Sequence, residues 1–287
     1  MKIKPFLILP VFLFIVRASI SQTFAVATDY TPVMNTYDFF LVFGGNAGNT
    51  VKLDDRGLIA EMEFIALPGT VFNINEIIEF GDKELKYFRV TTDEYNYKGN
   101  FYIDSRMVKT AFSKPNDREK IMPGKSEILF NMKKINGFPY MWGGNYAYGL
   151  FEMLKLYPPK GEIDEKTKFL WILQGVDCSG LLYQATNGCT PRNTSSLVTY
   201  GLPVDIADKT IDEIIPLLKP LDLIVWSGHV VIVFDGESTI ESSPPKGVYM
   251  SNIKERLTEI MSERYPVNEL GQRMWKKKEF VVRRWTE

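Results

Sequence analysis

The chain has 287 residues, with 34 lysines and arginines against 35 aspartates and glutamates and a formal net charge of −1. That balance, without a dominant basic run, removes the electrostatic case for a nucleic-acid partner. The length accommodates two modest domains, and an apolar fraction of 45% is ordinary for packed cores.

The first element is a leader. Met1-Lys2-Ile3-Lys4 is basic, and Pro5 to Val16 is a continuous apolar run. The run falls short of the roughly 20 residues that span a bilayer and fits the core of a secretory signal peptide. Small residues offer a cut after Ser21 or after Ala27, so residues 1–27 are read as the signal, cleaved between 21 and 28. The mature protein is expected to be exported, periplasmic or extracellular, with no stable membrane insertion once the signal is gone.

Residues 28–115 then read as a β domain. AEMEFIAL, GTVFNINEII, KYFRVTT and NFYIDSRMV are rich in β-formers. Turn signals at Pro68-Gly69, Gly81-Asp82 and Lys98-Gly99-Asn100 separate them. Residues 116–125 form a linker ending at Pro123-Gly124. A helix follows, with Ser126 as its expected cap and Ile128, Leu129, Met132 and Ile135 on one face. The loop PYMWGGN comes next, and after a long segment DCSGLLYQATNG opens a second helix at Cys178. DLIVW, HVVIVF and STIES are three successive strands, with tight turns at Ser227-Gly228 and Asp235-Gly236.

Chemistry concentrates on two residue types. An exported protein stabilised by disulfides carries several cysteines, and this one has two, Cys178 and Cys189. A helix rising about 1.5 Å per residue holds them too far apart to bridge. Cys189 reads as a small buried residue just past a helix end. The chain has one histidine, His229. A thiol needs a base to act as a nucleophile at neutral pH, so if Cys178 is catalytic its partner is His229. Position at a helix start is expected to favour the thiolate. Glu241, across the Asp235-Gly236 turn, can orient the imidazole if the register puts both on one face. One histidine and two distant cysteines do not make a zinc site, so no metal is expected.

PYMWGG, DCSGLLYQ, PRNTSS, LKPLDLIVW-SGHVVIV and the acid of STIES, in that order, resemble the NlpC family of bacterial cell-wall cysteine peptidases. The resemblance runs from Ile128 to about Ser243, and the β segment before it resembles a bacterial SH3-like domain. It implies an α+β chain: a papain-like domain over 126–287, helices on an antiparallel sheet, preceded by a small SH3-like β-barrel. It also implies an endopeptidase on peptidoglycan or muropeptide substrates, cutting between D-γ-glutamate and a diamino acid such as meso-diaminopimelate, with no cofactor. Cys178 is then the nucleophile, His229 the base and acid, and Glu241 the orienting residue. The Cys178 amide and the Tyr140 hydroxyl stabilise the oxyanion. Asp177, Ser179, Arg192, Thr194 and Trp142 line the substrate cleft, although Trp142 taken by itself reads as aromatic core around the Gly143-Gly144 turn. In relatives acting on free N-terminal alanine, the aspartate before the cysteine grips the amine. One departure stands out: residues 146–176 intervene between the WGG loop and DCSG, read as an extra helical hairpin beside the cleft. A cleft occluded by that hairpin would make the protein a non-hydrolytic wall-binding module. The same cysteine–histidine pair also suits an amidase or acyltransferase.

Overall fold

A computed structural model describes residues 23–287 apart from 46, 80–84 (80 in its backbone only), 96–97 and 272–277. The apolar leader and the Gly81-Asp82 turn lie outside the described residues. The chain forms two large sheets. In the first, strands run in the spatial order Met62–Ala66, Thr31–Met34, Phe101–Asp104, Leu85–Thr91, Val71–Phe80, Thr23–Ala27 and Val108–Ala111, all antiparallel. The expected strands are present, because their alternating β-branched and aromatic residues supply one buried face: Phe64, Phe72, Phe88, Val90, Phe101 and Ile103 form its core. The expected closed SH3-like barrel is not shown. The strand path is open, with Met62–Ala66 at one end and Val108–Ala111 at the other.

Thr23–Ala27 bears on the leader. It pairs on both sides, with Val71–Phe80 and Val108–Ala111, and Ala25 and Ala27 are buried. A cut after Ala27 would remove an internal strand, whereas a cut after Ser21 leaves the sheet whole.

The second sheet runs Leu202–Pro203, Lys278–Arg284, Leu223–Trp226, His229–Val233, Ser238–Ser243 and Gly247–Asn252, with Arg264–Pro266 paired beside Lys278–Arg284. The helices Lys125–Lys134 and Cys178–Ala185 cover one face, packing Ile128, Met132, Leu181 and Leu182 against Val225, Val230 and Ile232. The helix Ile253–Glu263 covers the other, on Ile224, Val231 and Val233. The first of these helices begins one residue earlier than Ser126, after Gly124, and has no side-chain cap.

Residues 146–176 do hold two short helices, Glu152–Leu156 and Glu165–Trp171, but they are not beside the cleft. Met153, Tyr157 and Trp171 pack against Met34, Phe39, Val42, Met62 and Tyr87 of the β domain. The Trp171 indole N–H donates to the Tyr157 carbonyl at 2.8 Å, and the Tyr157 hydroxyl donates to the buried Asp104 carboxylate at 2.5 Å. The segment is apolar and aromatic because it joins the two halves through one shared core.

Candidate active site

The helix Cys178–Ala185 starts where Asp177 leaves the helical region and caps it, its Oδ1 accepting from the Gly180 N–H at 2.7 Å. The motif glycines are explained by close backbone approach. A Cβ at Gly180 would lie 2.0 Å from the Gly144 carbonyl oxygen, so only glycine lets the helix start press against the WGG loop. Gly143 has φ +70°, and a Cβ there would meet the Met62 carbonyl of the β domain at 2.7 Å.

Cys178 is the first residue of this helix, where an N–H has no intrahelical acceptor. Cys178 is buried, in one core cluster with Val230, and the backbone N–H groups of Val230 and Ser179 act to lower its thiol. Val230 directly follows His229, so the start of the helix Cys178–Ala185 meets the start of the strand His229–Val233. The expectation that the helix end lowers the thiol is corrected here. Burial, followed by the negative charge of Asp177, pushes Cys178 up to about 12 against the opposing N–H of Val230 and charge of Arg192.

His229 opens the strand His229–Val233 after the two-residue turn Ser227-Gly228, with Trp226 opposite it. Ile232 pairs with Ile240 and Val233 with Thr239. Continued at that offset, the register sets Val231 opposite Glu241 and His229 one diagonal step away on the same face. The His229 Nε2 and the Glu241 Oε2 are 2.7 Å apart, which leaves Nδ1 for another partner. Glu241 is buried, which raises its carboxyl, but bonds from His229 and Arg256 outweigh burial and hold it below the ordinary carboxylate range.

A cleft of about 440 Å³ opens over Cys178 at the seam between the two halves. Tyr140, Asp177, Ser179, Arg192, Thr194 and Trp142 all line it. Their roles differ. Arg192 is buried and clamps Asp177 with two bonds of 2.9 and 2.7 Å, also donating to Ser179 Oγ, Asn145 Oδ1 and the Gly144 carbonyl. Asp177, Ser179 and Arg192 therefore form a fixed polar wall rather than free contacts. Thr194 Oγ1 accepts the Gly228 N–H at 3.3 Å, tying the turn before His229. Trp142 is exposed with the Arg56 guanidinium 5.4 Å from its ring centroid, so it is a rim residue and not core. Burial, then the charges of Asp177 and Cys178, raise the Tyr140 hydroxyl, which stays a proton donor.

The β domain supplies the opposite wall: Asn35, Ala60, Met62, Glu63 and Tyr95. Glu63 accepts from Asn35 Nδ2 at 3.1 Å. Its carboxyl is raised by burial, against the lowering effects of Asn35, Tyr95 and Arg192. Sequence reasoning missed this residue, since only the tertiary fold sets it near Asp177. None of residues 146–176 lines the cleft.

No protein-family model and no curated protein matches this chain. Two solved structures are similar to it over 92% of its length. One is an NlpC/P60 family protein from Bacillus cereus ATCC 10987, at 15% identity and a TM-score of 0.34, and the chain spans 64% of that protein. The other is NlpC2 from Trichomonas vaginalis, at 14% identity and 0.31, with 72% of that chain covered. At this distance the residues of the cleft, rather than the neighbours, carry the functional reading.

Proposed function

We propose that this protein is a cysteine peptidase of NlpC/P60 type that hydrolyses stem peptides of bacterial cell-wall fragments at the bond between D-γ-glutamate and a diamino acid. The observation that carries this reading is the meeting of helix and strand starts. Cys178 shares a buried cluster with Val230, the residue after His229, and the His229 imidazole is held by Glu241 at 2.7 Å. His229 Nδ1 takes the thiol proton as Sγ attacks the carbonyl carbon. The Cys178 N–H and the Tyr140 hydroxyl receive the oxyanion. The C–N bond breaks as the imidazolium protonates the leaving amine, and water deprotonated by His229 then hydrolyses the thioester. Because burial resists a standing thiolate, the proton moves to His229 with substrate in place.

The walls of the cleft support a substrate with a free N-terminal amine. Glu63, bonded to Asn35 and without the guanidinium clamp that holds Asp177, brings a carboxylate to the cleft, and an ammonium group is its natural counter-ion. The test is mass spectrometry of muropeptides incubated with the protein and with Cys178→Ala. Cleavage of the D-γ-glutamyl bond by the unmodified protein alone, and of free-amine substrates only, is the expected result. No cleavage of either substrate class overturns the reading, and transfer of the acyl group to an added amine in place of water would make the protein an acyltransferase.

A further inference from the structure

The segment after Tyr249 carries no recognisable motif, yet it delivers a cation to Glu241. The helix Ile253–Glu263 is capped by Asn252, whose side chain accepts the N–H groups of Lys254 and Glu255. Ile253, Leu257 and Ile260 seat it on the sheet. Arg256 on this helix grips Glu241 with both arms of its fork: Nε to Oε1 at 2.5 Å and Nη2 to Oε2 at 2.9 Å. Its remaining arm bonds Glu259 at 2.9 Å.

We propose that Arg256 is a positioning residue of the active site, acting through Glu241 to hold the carboxylate against His229 and to set the pH range in which the Cys178–His229 pair works. This rests on the peptidase reading above. A buried carboxylate without a cation tends to take up a proton. Protonated, Glu241 would donate to the imidazole instead of accepting from Nε2–H, and His229 would be held in the wrong tautomer. A bidentate guanidinium keeps the carboxylate ionised and fixes its plane, which a single ammonium does not. It also offsets part of the glutamate charge, so the imidazolium is not held too tightly to return its proton.

The charged and titratable groups around this cluster come from each packed element. The nucleophile helix and its cap bring Cys178 and Asp177. The strand Gly247–Asn252 brings Tyr249, whose hydroxyl interacts with Glu241. The helix Ile253–Glu263 brings Arg256 and Glu259. Beyond it, Arg264 lies 4.4 Å from the centroid of the Trp226 ring, which itself sits 5.2 Å from His229. While Glu241 stays ionised, removing one positive charge from this cluster raises the proton affinity of the groups beside it, so the pH profile moves upward until Glu241 itself takes up a proton.

The test reads two quantities against pH: kcat/KM on muropeptide, and alkylation of Cys178 by iodoacetamide, followed by the mass of its peptide. Arg256→Gln is expected to lower kcat/KM ~10–100-fold, the equivalent of one charge-assisted hydrogen bond, with KM changed less than kcat. Both limbs of its profile should move up by about one pH unit. Arg256→Lys should restore the limbs but only part of the rate, and Arg256→Gln should add nothing on a Glu241→Gln background. Unmoved limbs in Arg256→Gln, or losses that multiply with those of Glu241→Gln, overturn the inference. The alkylation arm separates the two levels. If His229→Gln leaves it unchanged, the cysteine–histidine reading fails. If His229→Gln moves it and Arg256→Gln does not, only the role of Arg256 fails.

Discussion

Glu63 shows how one side chain can serve the site at the expense of the fold. Burial raises its carboxyl, so the folded chain binds that proton more tightly than the unfolded chain does. The sign follows directly. The contribution to stability is intact below the ordinary glutamate range and is lost as pH rises through the raised folded value. Glu63→Gln is therefore expected to raise Tm at neutral pH and to leave it nearly unchanged at pH 3, as thermal melts at both values would register. The same substitution should raise KM for free-amine muropeptides ~10-fold or more, because it removes the charged partner of the ammonium. Glu241 has the opposite sign: its lowered carboxyl contributes stability above the ordinary range that is lost on acidification.

Among the elements, the edge strand Met62–Ala66 illustrates how the β domain and the C-terminal half are joined. Its free edge is met by a side chain: Asn145 Nδ2 donates to the Ile65 carbonyl at 2.8 Å, and the Ile65 N–H donates to Asn145 Oδ1 at 2.9 Å. Oδ1 also accepts from Arg192 Nε at 3.1 Å, linking the edge to the polar wall beside Cys178. An asparagine amide mimics a peptide group here, and the site is buried, so no water replaces it. Asn145→Ala leaves three buried groups without partners and should cost about 3 kcal/mol or more, lowering Tm by roughly 5 °C or more. Asn145→Asp should also destabilise, since a carboxylate cannot donate to Ile65; calorimetry of the two variants checks both.

For the whole molecule, the shared core decides how the chain unfolds. Met34, Phe39, Met62 and Tyr87 from one half and Met153, Tyr157 and Trp171 from the other are all buried in a single cluster. Separating the halves would expose that surface to water, at ~25 cal/mol per Å² of apolar area. The two halves are therefore expected to melt in one calorimetric transition, and a fragment beginning at residue 116 to be poorly soluble. Two separate transitions in the intact chain would contradict this.

The sequence alone determined the parts whose physics is local. The helix at DCSG is legible because Asp177 is a cap and the apolar residues follow at helical spacing. The two-residue turn before His229 and the strand after it are legible from Ser227-Gly228 and the β-branched run. A single histidine leaves one candidate partner for Cys178. What sequence left undetermined depends on contacts between residues far apart in the chain. Register alone brought Glu241 onto the face of His229, and only packing decided that 146–176 binds the β domain instead of covering the cleft. Closure of the first sheet was not legible, because strand pattern does not say whether its edges pair with each other or with a side chain such as Asn145. Nor could the reading at Cys178 anticipate burial, which outweighs the helix end and raises the thiol. Glu63 and Arg256 carry no motif, since each acts only where folding sets a buried charge against another.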